Sequence, residues 1–332
     1  MASFPGRCIR IARRLLVGAA GAAVLAAAGT ACLYLYLAPG LPAVERLRDV
    51  RLQEPLRIHA ATGELMAVYG SKRRIPVALA EVPRQVRRAF IAAEDDRFYA
   101  HPGVDWMGIV RAAWNLLLTG EKSEGGSTIT MQLARNFFLT REKTYIRKIR
   151  EIILAFRIHG RLPKDRVLEL YLNKIYLGEG AHGVAAAARR YYGKRLDELA
   201  LHETATIAGL PRAPSALSPV DHPERARWRR NYVLRRMREN GMISGAALRR
   251  ARAAPVTATL HGPPAALEAP YAAEMARRRA VERFGEAAAT RGYHVYTSIV
   301  PAEQRAATRA LRRGLLAYEA RHGYDGPVGR VA

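Results

Sequence analysis

Apolar residues recur at three- and four-residue steps from about Pro83 to Asn240, with interruptions at Gly103, Gly120, Gly160, Gly178, Gly193, Pro211 and Pro214. That period predicts a central domain made mostly of α-helices. Ahead of it, Leu56 to Val68 forms two short extended runs around the turn Ala61-Thr62-Gly63-Glu64, which predicts a small β-hairpin. Beyond about Gly241 the chain is rich in Ala and Arg. It then alternates over His294 to Ile299 as a strand would, and turns helical from about Pro301 to His322. At the N-terminus, Leu15 to Ala38 is an uncharged apolar run of about 24 residues, long enough to span a bilayer.

Arg7, Arg10, Arg13 and Arg14 precede that run, so residues 1–14 are expected to be a basic cytoplasmic tail and residues 15–38 a single-pass transmembrane anchor. The stretch exceeds the usual length of a cleaved signal peptide, which favours retention of the anchor. The hairpin that follows is expected to lie near the membrane. Cys8 and Cys32, the only cysteines, fall in the tail and the span, so no disulfide is expected in the exported part.

Charge changes the picture next. The 332 residues carry 54 Lys and Arg against 29 Asp and Glu, a formal net charge of +25, which calls for a polyanionic partner. An exported chain meets lipid headgroups and pyrophosphates there, so nucleic acid is excluded as the partner.

Three groups of residues carry candidate chemistry. Glu94, Asp95 and Asp96 stand where the helix from about Arg84 to Ala93 should end, a place where acids oppose the helix dipole. A catalytic carboxylate and a solvated acidic turn both account for them. On the helix Thr144 to His159, the spacing of Lys143, Arg147 and Glu151 puts two cations and one carboxylate on one face, with Ile146, Ile149, Ile153 and Phe156 expected as the buried stripe. Between these helices, Gly125, Gly126, Ser127 and Thr128 precede a helix and could cradle phosphate with backbone amides, or simply cap it. The segment lacks the lysine of a P-loop. The run Trp106, Met107, Ile109, Val110, Trp114, Leu116, Leu117 and Leu118 suits either a surface dipping into the membrane interface or core packing.

Over roughly Pro55 to Met242 these segments resemble the transglycosylase domain of class A penicillin-binding proteins, glycosyltransferase family 51. Its first motif is matched by Glu94, Asp95, Phe98, His101 and Gly103. The second runs from Gly125 to Asn136, with Met131 in place of a Gln and Arg135 in place of a Lys. The third falls on Arg147, Lys148, Glu151 and Ala155, with His159 where a Glu is common. The fourth spans Leu168 to Val184. The fifth reaches Leu199, Glu203, Ala205, Leu210, Pro211, Pro214 and Pro219, closing with Arg230, Val233 and Leu234.

The resemblance implies a mainly α, lysozyme-like glycosyltransferase domain over residues 39–245. Residues 246–332 are then a short α+β tail, a linker and the truncated start of a following module. It implies an enzyme that polymerises lipid II into β-1,4-linked glycan strands and releases undecaprenyl diphosphate. Glu94 is then the catalytic base. Glu151 is the second catalytic acid, beside Lys143, Arg147, Lys148 and Arg135 on the diphosphate side. Negative charge there is met by these fixed cations or by a divalent ion, Mg or Mn, held by Glu151. Asp95, His101, Ser127, Thr128, Gln132 and Asn136 are the remaining substrate-binding candidates.

The implied partners are lipid II, the growing strand, inner-membrane lipids and other cell-wall synthesis proteins. The implied location is the bacterial inner membrane, with a periplasmic catalytic domain. The Ser-x-x-Lys, Ser-x-Asn and Lys-Thr-Gly elements of a penicillin-binding transpeptidase are absent from Met1 to Ala332, so no cross-linking is expected of this chain. A lytic transglycosylase and a non-enzymatic scaffold are the rival readings. The paired cations and carboxylate around Glu151 argue against the first, and the presence of both catalytic acids against the second.

Overall fold

The computed structural model describes residues 31–323 except 49, 51, 71–72, 121–125, 141–143 and 263–266, together with Gly18, Gly21, Val24, Leu25, Ala28 and Gly29. The predicted basic tail, 1–14, and ten of the 24 residues of the predicted anchor, 15–38, lie outside these residues. Residues 31–37 are helical, and no helix among the described residues is long and apolar enough to cross a membrane.

In chain order the strands and helices are β1 (Leu56–His59), β2 (Leu65–Tyr69), β3 (Arg73–Arg74), α1 (Arg84–Glu94), α2 (Trp106–Thr119), α3 (Ile129–Phe138), α4 (Tyr145–His159) and α5 (Lys164–Lys174). There follow β4 (Ala181–His182), α6 (Val184–Tyr192), α7 (Leu201–Gly209), α8 (Pro223–Glu239), α9 (Gly245–Ala253), α10 (Pro270–Phe284), β5 (His294–Tyr296) and α11 (Pro301–His322). The chain divides into two compact units, residues 1–50 with 97–167 and residues 51–96 with 168–332, and α5 runs across the division.

In the first unit α3 packs against α4. Thr128 caps α3, its hydroxyl accepting from the Met131 amide at 3.1 Å, and Thr144 caps α4 by accepting from the Arg147 amide at 3.1 Å. The buried side of α4 differs from the expected stripe. It is made by Glu151, Ile153, Leu154, Ala155 and Ile158, while Ile146 and Phe156 are exposed. The helix is turned so that Ala155 can meet Val104 and Met131 at close range, and this rotation takes Glu151 into the interior.

The second unit holds the helical core. Helix α1 packs on α7 and α8, and Phe90 meets Tyr171 edge to face at 6.3 Å between ring centroids. The fourth motif has an architectural part here. The Asn173 amide accepts from the Val77 amide at 2.9 Å and donates back to the Val77 carbonyl at 2.7 Å, while Glu169 accepts from the Leu79 amide at 2.8 Å. Glu203 of the fifth motif accepts from the Ala200 amide at 2.9 Å, tying down the start of α7, and pairs with Lys194 at 2.7 Å.

Arg230, fully buried on α8, donates to the carbonyls of Arg252 at 3.0 Å and Ala254 at 2.6 Å, satisfying the end of α9. Arg230→Ala would leave both carbonyls and a cavity unfilled. A loss of about 3 kcal/mol is expected, read as a lowered midpoint of urea unfolding.

The expected hairpin forms, β1 pairing antiparallel with β2. Leu56 and Ile58 point to a buried face, with Arg57 and His59 on the other. The third strand of the sheet comes from the far end of the chain. Strand β5 lies parallel to β1, giving the order β2-β1-β5. Leu267, Ala269, Ala273, Ala280 and Ala288 share one core with Leu56, Ile58 and Met66. Residues 267–299 therefore complete the hairpin's own sheet and core.

Candidate active site

The second unit carries Glu94 at the last position of α1. Phe90, Ile91, Ala92 and Ala93 are all buried, so the helix ends inside the protein with Glu94 emerging from its final turn. The chain leaves the helix at Asp95, φ −165° and ψ 75°, whose amide still donates to the Ile91 carbonyl at 2.9 Å. The three acids have separate fates. Asp95 is buried, Asp96 pairs with Arg236 at 2.6 Å, and Glu94 lies 3.6 Å from the guanidinium of Arg229.

Arg229 and Arg236 are the partners of these acids that the sequence reading missed. They stand seven apart on α8 with Tyr232 between them, one face of a helix so rich in Arg that its cations read as solvated. Arg229 is buried, lies over the Tyr232 ring at 4.3 Å and reaches the Gly209 carbonyl at 3.4 Å. A Cβ on Gly209 would come within 2.8 Å of the Arg229 Cγ, so the glycine leaves room for that stem. Burial pushes the Arg229 guanidinium below its usual range, and the Glu94 charge opposes that shift.

The first unit carries the other candidates. Gly103 has φ +87°, and a Cβ there would fall 2.7 Å from the Ala155 carbonyl oxygen, so the glycine of the first motif and the alanine of the third meet face to face. The Thr128 hydroxyl donates to the Gly103 carbonyl at 2.6 Å while it caps α3. One buried hydroxyl thus stitches the second motif to the first. His101 is buried and meets the Phe98 ring edge to face at 6.4 Å. The Lys164 ammonium sits 4.5 Å over that same ring.

On α4, Arg147 donates to one oxygen of Glu151 and Lys148 lies 3.2 Å from the other, while the same ammonium donates to the Ser127 hydroxyl. Glu151 is 1% exposed, so this clamp is held at low dielectric on the carboxylate's side. Two cations on one acid leave a net positive charge on the more exposed side of the cluster, which suits an anion. A divalent ion at Glu151 would have to displace Arg147 or Lys148. Among the described residues no three His, Cys, Asp or Glu side chains converge as a metal site. Gln132 is buried on α3, where Arg135 and Asn136 are half-buried. Lys143 and Gly125 lie outside the described residues.

The structure thus groups Glu151, Arg147, Lys148 and Ser127 in the first unit, and places Glu94 and Asp95 in the second. His159, where the third motif departs from its family pattern, has its ring pushed toward the neutral form by burial, then by Lys164 and His101.

Comparison with known proteins identifies the family. The sequence model of the family described as Transglycosylase matches residues 62–238. Penicillin-binding protein 1A of Escherichia coli (strain K12) is 52% identical over 296 residues, which is 89% of this chain and 35% of that protein. Penicillin-binding protein 1A of Pseudomonas aeruginosa is 48% identical over 298 residues, 90% of this chain and 36% of that protein. The chain therefore spans about a third of the length of the curated relatives it matches. A crystal structure of penicillin-binding protein 1A from Haemophilus influenzae aligns over 85% of this chain and 32% of its own, with 34% identity and a TM-score of 0.48.

Proposed function

This chain belongs to the transglycosylase family, and on that premise we propose that it is a peptidoglycan glycosyltransferase that polymerises lipid II into β-1,4-linked strands and releases undecaprenyl diphosphate. The observation that carries the reading is Glu94, a carboxylate delivered to a buried helix end and held there by the Arg229 guanidinium. In the reaction the acceptor's 4-hydroxyl oxygen attacks the anomeric carbon of the donor and its proton passes to Glu94. The bond from that carbon to the diphosphate breaks, inverting α to β, and the diphosphate leaves with the electron pair. Arg229 fixes the carboxylate's position, which sets the proton's path. The cluster of Arg147, Lys148 and Glu151 receives the developing negative charge, with Glu151 holding both cations in place before the substrate arrives. Arg135 and Lys143 are assigned to the same diphosphate side on the sequence reading alone. The buried Thr128 hydroxyl is assigned a structural part, tying α3 to Gly103, and Ser127, bonded to Lys148, is assigned the contact with substrate.

Incubating the full chain with lipid II and digesting the product with a muramidase tests the reaction. A polymer that falls to disaccharide-peptides is expected. Unchanged lipid II would refute the reading.

The location proposed is the inner membrane with the catalytic residues on its periplasmic side. Helix α2 supports it: Trp106 is 52% and Leu117 80% exposed, and Met107, Val110, Trp114 and Leu118 are exposed beside them. Core packing does not explain side chains left in water, whereas an interfacial helix does. Changing Trp106 and Leu117 to Ser in protein deleted for residues 1–38 is expected to weaken binding to anionic liposomes by roughly tenfold or more. Unchanged sedimentation with liposomes would end the idea.

A further inference from the structure

A groove in the second unit, about 430 Å³ in volume, takes no part in the chemistry above. It is lined by Arg212, Ala213, Leu217, Glu224, Arg225 and Trp228. That volume is in the range of sites that hold small organic ligands. Trp228 is 62% exposed, although Ala226, Val233, Leu234 and Met237 of the same helix are all buried. Packing therefore does not account for an indole at this position. The one acid on the wall, Glu224, pairs with Arg227 at 2.8 Å. Arg212 and Arg225 make no ion pair among the described residues, so the groove presents uncancelled positive charge beside a flat aromatic face. It also adjoins the candidate site, because Arg212 is close enough to Arg229 to disfavour its charged form, and Arg229 is the partner of Glu94.

We propose that this groove is a subsite for an acidic glycan strand, with a hexosamine ring stacked on Trp228 and carboxylates of the strand's substituents meeting Arg212 and Arg225. A pyranose ring has a face of axial C–H groups that lies flat on an indole while its hydroxyls stay in water, which is the amphipathic match an exposed Trp offers. The guanidiniums add carboxylate recognition that a neutral sugar chain could not use. The assignment rests on the glycosyltransferase reading, which supplies a strand of this chemistry next to Glu94.

The test titrates the full chain with an uncross-linked tetrasaccharide of peptidoglycan carrying its stem peptides, and separately with chitotetraose, which has no carboxylate. Trp228→Ala is expected to weaken both by roughly tenfold or more, and Trp228→Phe to restore most of the binding. The double variant Arg212→Ala, Arg225→Ala should weaken the acidic ligand alone. Binding that ignores Trp228→Ala would overturn the subsite, and equal losses on both ligands in the Arg variant would overturn its carboxylate recognition. Polymer formed from lipid II with binding insensitive to Trp228 removes the subsite and leaves the activity. Trp228-dependent binding with no polymer from lipid II does the reverse.

Discussion

Glu94→Gln is expected to lower lipid II polymerisation by about 10²- to 10⁴-fold, the range that a positioned general base contributes. Glutamine keeps the shape of the side chain but cannot take a proton at working pH. Arg229 would then face a neutral amide, and losing the charge partner of a buried guanidinium is expected to cost about 1–3 kcal/mol of stability. Circular dichroism and the urea midpoint separate the two effects, since the fold should persist while turnover collapses. Turnover near that of the wild type would end the assignment of Glu94 as base. Arg229→Lys adds a second reading. A lysine keeps the charge without the planar fork, so a lowered kcat with KM nearly unchanged marks Arg229 as a positioning residue.

Glu151→Gln is expected to reduce turnover by about 10²- to 10³-fold, the size of effect seen when one preorganised electrostatic contact is lost. The carboxylate touches both Arg147 and Lys148, so its loss frees two cations from one geometry. The loss should appear in kcat. Affinity for an unreactive lipid-linked diphosphate should hold or improve, because the released cations still attract it. If diphosphate affinity falls together with kcat, Glu151 belongs to ground-state binding, and the division of roles proposed for the two acids is wrong.

Much of the fold was legible because its signals are local. Helix α11 runs over Pro301–His322 as the spacing of its residues predicts, and the hairpin forms around the Gly63 turn. The parallel pairing of β1 with β5 was not legible, since Arg57 and His294 meet across more than two hundred residues and a three-residue strand carries no mark of its partner. The rotation of α4 escaped for a related reason. The pattern of Ile residues pointed one way, but close approach at Ala155 decided the buried side, and small residues weigh little in a hydrophobic pattern.

At the candidate site, the sequence singled out Glu94 and Glu151 as candidates but not the cation that pairs with Glu94. Arg229 is one of many arginines on α8, and only the fold distinguishes a buried guanidinium from a solvated one. The Gly103, Thr128 and Ala155 contacts explain why glycine, a hydroxyl and alanine stand at those motif positions. Each fills a geometric need that spacing alone does not express.

The most direct test of the central claim is the release of polyprenyl diphosphate by the full chain given lipid II as its only substrate, measured alongside the glycan formed. The account predicts release in step with polymer, one diphosphate for each disaccharide added. Anhydro-muropeptides liberated from preformed glycan, with no polyprenyl diphosphate released from lipid II, would contradict it.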